Sequence, residues 1–165
     1  MSTLPRKEDI NVYDSLDERS AVKNFYGKTR EEILARLPGD YISLQEDLAN
    51  MGPVAFAYYA PAWEEFCKRT ATECDVEELD DIAEWTHCII TCRRFIWEER
   101  ETPEALAAMR RMLSFWVDFY NSEVCREYFA ERARFYGYAE ELIANPPELV
   151  EQQEQWARLR SQLGQ

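Results

Sequence analysis

The chain has 165 residues, 46% of them hydrophobic, with five Trp, nine Tyr and eight Phe but only five Gly and seven Pro. That is the length of one domain with ample aromatic material for a core, and too few turn residues for a strand-rich fold, so an all-α domain is expected. Lys and Arg number 19 against 32 Asp and Glu, a net charge of −13. This disfavours nucleic acid and anionic membrane surfaces as partners. It favours a basic protein surface, unless it serves only to keep the chain in solution.

Residues 1–20 are polar and mixed in charge. They read as a mobile N-terminal arm that becomes ordered near Val12 and Tyr13, with 21–165 as a single helical domain. Thr29 followed by Glu32 makes a capping box that opens a helix with Ile33, Leu34 and Leu37 on its apolar face. Pro38-Gly39-Asp40 should end that helix, and a second short one should run from Tyr41 to Asn50. Gly52-Pro53 opens the next. Pro61 should kink or split it into 54–59 and 62–69.

Asp75 is a good N-cap for the following helix, whose first turns are acidic as the macrodipole prefers. Leu79, Ile82, Ala83, Thr86, Ile89, Ile90 and Arg93 recur at helical spacing, and Trp85, Cys88, Cys92, Phe95 and Ile96 widen the stripe, which marks a central helix. Thr102-Pro103 starts a helix carrying Leu106, Met109, Met112, Leu113, Trp116, Val117 and Tyr120. Ser122 caps another that reaches Ile143, with Gly137 as its weak spot. Asn145-Pro146-Pro147 stops it, and the last helix covers 148–163. The expectation is a compact single-domain bundle of six to seven helices, mostly with antiparallel neighbours. No stretch approaches the roughly 20 apolar residues of a membrane span, and Met1–Glu8 carries no signal-peptide core, so a cytoplasmic protein is expected.

Few residues suggest chemistry. Cys67, Cys74, Cys88, Cys92 and Cys125 are odd in number and contain no Cys-x-x-Cys, which argues against a disulfide framework or structural zinc. His87 is the only histidine. Glu84-x-x-His87 has the spacing used by di-iron bundles, but those need the motif twice. The glycines stand singly, so no phosphate-cradling loop is expected. Asp118, between Val117 and Phe119, is the nearest case of an acid in an apolar run, and helix geometry can still turn it to solvent. No catalytic residue, metal or cofactor is assigned.

The strongest electrostatic signal is the run Glu73, Asp75, Glu77, Glu78, Asp80, Asp81 and Glu84, with no Lys or Arg among them. A second acid-only stretch holds Glu140, Glu141, Glu148, Glu151 and Glu154. Such runs are either solvated helix faces or a docking surface for a basic groove.

Residues 24–66 carry Phe25-x-Gly27-Lys28-Thr29, then Tyr41-x-x-x-Gln45-Glu46-Asp47-Leu48, then Met51-Gly52-Pro53-x-Ala55-Phe56-x-Tyr58-Tyr59-x-Pro61-Ala62. This segment, about a quarter of the chain, resembles a family of bacterial hypothetical proteins. The resemblance implies relatedness and brings no activity with it. Physically, Gln45, Glu46, Asp47, Tyr58 and Tyr59 read in two ways. One is a polar knot fixing the angle between two helices, with Glu46 or Asp47 capping backbone near Pro53. The other is a pocket with Glu46 and Asp47 as acids.

Three functions follow. The first is an acidic immunity protein (an antitoxin) that neutralises a secreted bacterial toxin through a basic surface on that toxin. The second is a helical adaptor with an aromatic groove built from Trp116, Phe119, Tyr120, Tyr128 and Phe129. The third is an enzyme or small-molecule binder using Glu46 and Asp47.

Overall fold

Side chains that cap backbone N–H groups set where four of the helices begin. A computed structural model describes residues 3–73 and 76–164, and of Glu73 the backbone alone. Thr29 Oγ1 accepts from Glu32 N while Glu32 Oε2 accepts from Thr29 N, and Ser15 makes the same reciprocal box with Glu18. Thr102 and Ser122 accept from Ala105 N and Cys125 N. The expected Asp75 cap lies outside the described residues.

Among the described residues the secondary structure is all helical. Contacts cluster into two units, residues 1–109 and 110–165. The first holds α1 (Lys7–Ile10), α2 (Leu16–Phe25), α3 (Arg30–Asn50), α4 (Pro53–Glu73) and α5 (Val76–Trp97), then a single 3₁₀ turn (Glu98–Arg100). The division falls inside α6 (Pro103–Tyr120), and the second unit continues with α7 (Glu123–Phe135), α8 (Glu140–Ala144) and α9 (Pro147–Gln162).

In the first unit α3 packs on α2, α4 and α5. Pro38-Gly39-Asp40 does not separate two helices by a loop. It bends one, and Asp40 takes the non-helical φ of −146° at the kink. α4 runs through Pro61 without a break. Trp63, Tyr59, Phe56, Ile89 and Trp97 are buried in the core of this unit. Trp63 Nε1 donates to Thr86 Oγ1 at 2.8 Å, so that indole is buried with its polar atom satisfied.

Residues 5–15 carry a helix and several hydrogen bonds to their surroundings, where the sequence suggested an arm that becomes ordered near Val12 and Tyr13. Ile10 is fully buried, and Gly52 N donates to Ile10 O at 3.0 Å. The buried Glu18 carboxylate gathers the N–H groups of Val12, Tyr13 and Ser15. Polar composition hid this, because the anchors are few: buried Ile10, the Tyr13 ring stacked on Trp97 at 5.2 Å, and one carboxylate gathering backbone donors.

In the second unit α7 ends at Phe135, earlier than its apolar pattern suggested. Gly137 sits at φ +72°, which glycine tolerates and side chains resist, and Tyr138 N closes the turn onto Ala133 O. Trp116 stacks on Trp156 at 6.0 Å and Tyr120 on the same ring at 6.3 Å. Arg110 Nη2 donates to Leu163 O at 3.0 Å, tying the end of α9 to the start of this unit.

Gly52 supplies a direct test. A Cβ there would lie 2.3 Å from Asp9 O and 2.6 Å from Val12 Cγ2. Gly52→Ala is expected to cost about 1–3 kcal/mol by overpacking and to raise amide exchange in residues 10–15. Unchanged exchange there would mean that the segment is not held against this turn.

Candidate functional site

α5 is amphipathic in an unusual way. Its inner face is Leu79, Ile82, Ala83, Thr86, Ile89, Ile90, Arg93 and Trp97, all buried. Its opposite face, at steps of three and four residues, is Glu77, Asp81, Glu84, Cys88, Cys92 and Phe95. The first half of that outer face is acidic: Glu77, Glu78, Asp81 and Glu84 are exposed, and Asp80 is half-buried. The second half is apolar. Phe95 is 89% exposed, Cys92 and Ile96 are exposed, and Trp85 and Cys88 are half-buried. The five side chains that widened the apolar stripe in sequence therefore do not join the core as a group. They line the outer face and its flanks. Of the predicted acidic run, Asp75 and the Glu73 side chain lie outside the described residues.

The negative field of this face reaches its neighbour. The Tyr41 hydroxyl is held above its ordinary pKa by burial first, and then by the charges of Asp81 and Glu78. His87 is half-buried, and burial lowers its pKa against the opposing pull of Glu84, which favours neutral imidazole. The Cys88 thiol is pushed up by burial, then by Cys92 and Glu84, and burial also pushes up the Cys67 thiol. Neither has the electropositive surroundings of a reactive thiolate. Among the described residues no group of three or more His, Cys, Asp or Glu stands close enough to hold a metal ion.

Gln45, Glu46, Asp47, Tyr58 and Tyr59 separate rather than converge. Asp47 and Gln45 are buried, while Glu46 points to solvent. Asp47 Oδ2 accepts from Asn24 Nδ2 at 2.6 Å, not from backbone near Pro53. Arg36, from the other half of the kinked α3, donates to Asn24 O at 3.0 Å and pairs with Asp40 at 2.8 Å. Both halves of α3 thus hold one asparagine at the end of α2. The Tyr59 hydroxyl lies 2.8 Å from both Phe25 O and Lys28 O and shares its proton between them, pinning the α2–α3 turn to α4. Burial raises the pKa of both Asp47 and Tyr59.

Tyr58 faces a different feature, a cleft of about 390 Å³ lined by Arg30, Val54, Ala57, Thr102 and Glu104. Arg30 Nε donates to Tyr58 O at 2.6 Å, and its guanidinium lies 4.3 Å from the Tyr58 ring centre. In the second unit an open hollow of about 670 Å³ is lined by Arg126 and Arg134 together with Glu123, Glu127 and Glu140.

The expected aromatic groove is not a groove. Trp116, Tyr120 and Phe129 are buried, and Phe119 and Tyr128 are half-buried. A stripe of aromatics at helical spacing was core. The exposed aromatics of that unit are Phe135, Tyr136 and Tyr138 instead. Asp118 is exposed, as helix geometry allowed.

Sequence reading missed Glu101, Asn24 and Arg30. Arg93 stood in the apolar stripe, and an arginine at a core position was the available signal. No protein family, curated protein or solved structure matches the chain.

Asp47 titration tests the knot. Its folded pKa lies above the unfolded one, so its contribution to stability is full below the unfolded pKa and is lost as pH rises through the folded value. Asp47→Asn keeps the acceptor for Asn24 and does not titrate. Its stability relative to the parent, read from urea midpoints, should rise between about pH 3 and pH 7. A constant or falling difference would contradict the burial of this carboxylate.

Proposed function

We propose that the protein acts by presenting the outer face of α5 to a basic protein partner, in the manner of an immunity protein that captures and blocks a toxin. One observation carries the reading: Glu77, Glu78, Asp81 and Glu84 are exposed together over two turns of one helix, while the residues between them anchor that helix in the core. Carboxylates grouped this way in a chain of net charge −13 focus a negative potential that speeds capture of a cationic surface. Relatedness to bacterial proteins and a cytosolic location belong to the same proposal. The protein would meet the toxin inside the cell that makes it.

A second reading rests on the cleft beside Arg30 and Tyr58. Its volume lies within the range of small-ligand sites, and it combines Arg30 and the carboxylates of Asp9 and Glu104 with apolar walls from Val54 and Ala57. Small-molecule binding would use that cleft rather than Glu46 and Asp47, which face apart.

The test is functional and kinetic. The product of the adjoining reading frame should arrest growth when expressed alone, and co-expression of this chain should restore it. With that product purified, the combined charge reversal E77K/E78K/D81K/E84K should slow association at low salt by about tenfold or more and change dissociation much less. Association unchanged by the reversal would remove the acidic-surface reading. Catalytic turnover by the purified chain would replace it.

A further inference from the structure

The outer face of α5 changes character halfway along, and the change defines what can cover it. Glu77, Asp81 and Glu84 are followed on the same face by Cys88, Cys92 and Phe95. Their steps of three and four residues match the spacing of a helix-packing seam. From Glu77 to Phe95 the seam is about 27 Å long at 1.5 Å per residue, five turns that one partner helix can follow. Phe95 leaves most of its ring in water, with Ile96 and Cys92 exposed beside it. An apolar end of this kind gains from being covered.

We propose that this seam receives an amphipathic helix of the partner protein, cationic over the half that meets Glu77, Asp81 and Glu84 and apolar over the half that meets Cys88, Cys92 and Phe95. The proposal rests on the acidic-surface reading above and adds the form of the partner. Charge decides against a second copy of the chain. Parallel self-pairing would set acid on acid. Antiparallel self-pairing would press Glu77 and Asp81 onto the partner's apolar half and desolvate carboxylates without counter-charge. A Lys/Arg-bearing helix meets neither cost. Its apolar half supplies dry area at Phe95, and its charges supply orientation and speed of encounter.

Labelled synthetic helices and the full chain test this by fluorescence anisotropy. One peptide carries Lys on the first half of its seam and Leu on the second. Another reverses that order, and a control of the same composition interleaves Lys and Leu. One ordered peptide should bind about tenfold or more tighter than the control, and salt should weaken it. Phe95→Glu, at a solvent position that leaves folding intact by circular dichroism, should erase that advantage. So should E77K/D81K/E84K. If the triple reversal abolishes binding while Phe95→Glu leaves it unchanged, the acidic surface stands and the seam is overturned. If neither variant matters, both fall. Dimerisation of the chain alone in sedimentation, abolished by Phe95→Glu, would overturn the proposal in favour of self-pairing.

Discussion

Arg93 holds the first unit together. Its side chain is fully buried, and Nη1 donates to the carbonyls of Leu48, Ala49 and Met51 at 2.9, 3.3 and 2.8 Å. Leu48 and Ala49 supply two of the last carbonyls of α3, which have no partners inside their own helix, and Met51 is the C-cap residue just beyond them. Nε pairs with Glu101 Oε1 at 2.7 Å, and that side chain is 2% exposed. The guanidinium lies 3.9 Å from the Phe56 ring centre, so one group touches α3, α4, α5 and the approach to α6. Burial lowers the Arg93 pKa and raises that of Glu101, and each charge opposes the shift of the other. Arginine suits the position because its planar fork reaches several acceptors at once and resists deprotonation. Arg93 Nη2, Glu101 Oε2 and Trp97 Nε1 make no hydrogen bond in the structure.

This anchor explains why a helix with so acidic a start can be a core element. Arg93 and the apolar residues on its side fix the rotation of α5. That rotation sends Glu77, Asp81 and Glu84 to solvent and leaves Cys92 and Phe95 outside as well. The proposed docking surface is therefore a consequence of the core, not an addition to it. The knot around Asn24 and Tyr59 acts one layer away. It holds the kinked α3 against α2 and α4, so the carbonyls that Arg93 gathers stay in place.

The sequence showed helices wherever period and cap agreed. The Thr29–Glu32 box, the Thr102 and Ser122 caps and the inner stripe of α5 each combine a local hydrogen bond with an apolar repeat, and the structure has them all. Boundaries that depend on tertiary support were harder to read. Pro38-Gly39 bends α3 instead of ending it, because Arg36 and Asp47 tie both halves to one residue. Gly137 ends α7 by backbone conformation although apolar residues continue beyond it. Composition cannot separate a stripe that enters the core from one that stays outside. Trp116 and Phe95 look alike in sequence and differ in whether another element arrives to cover them. For the same reason the acidic residues of α5 were legible, but the apolar half of their face was not. Arg93 at a core position signalled a buried partner without naming Glu101, and Asn24, far from Asp47 in the chain, left no local trace.

A double-mutant cycle at Arg93 and Glu101, read by urea denaturation, tests this account most directly. If Arg93 serves mainly to satisfy the end of α3, Arg93→Met should cost about 3 kcal/mol or more, and nearly as much when Glu101 is already leucine. The carbonyls of Leu48, Ala49 and Met51 are left without a donor in either background. A doubly substituted R93M/E101L chain as stable as the parent would contradict it, since the pair would then be an ionic contact replaceable by packing.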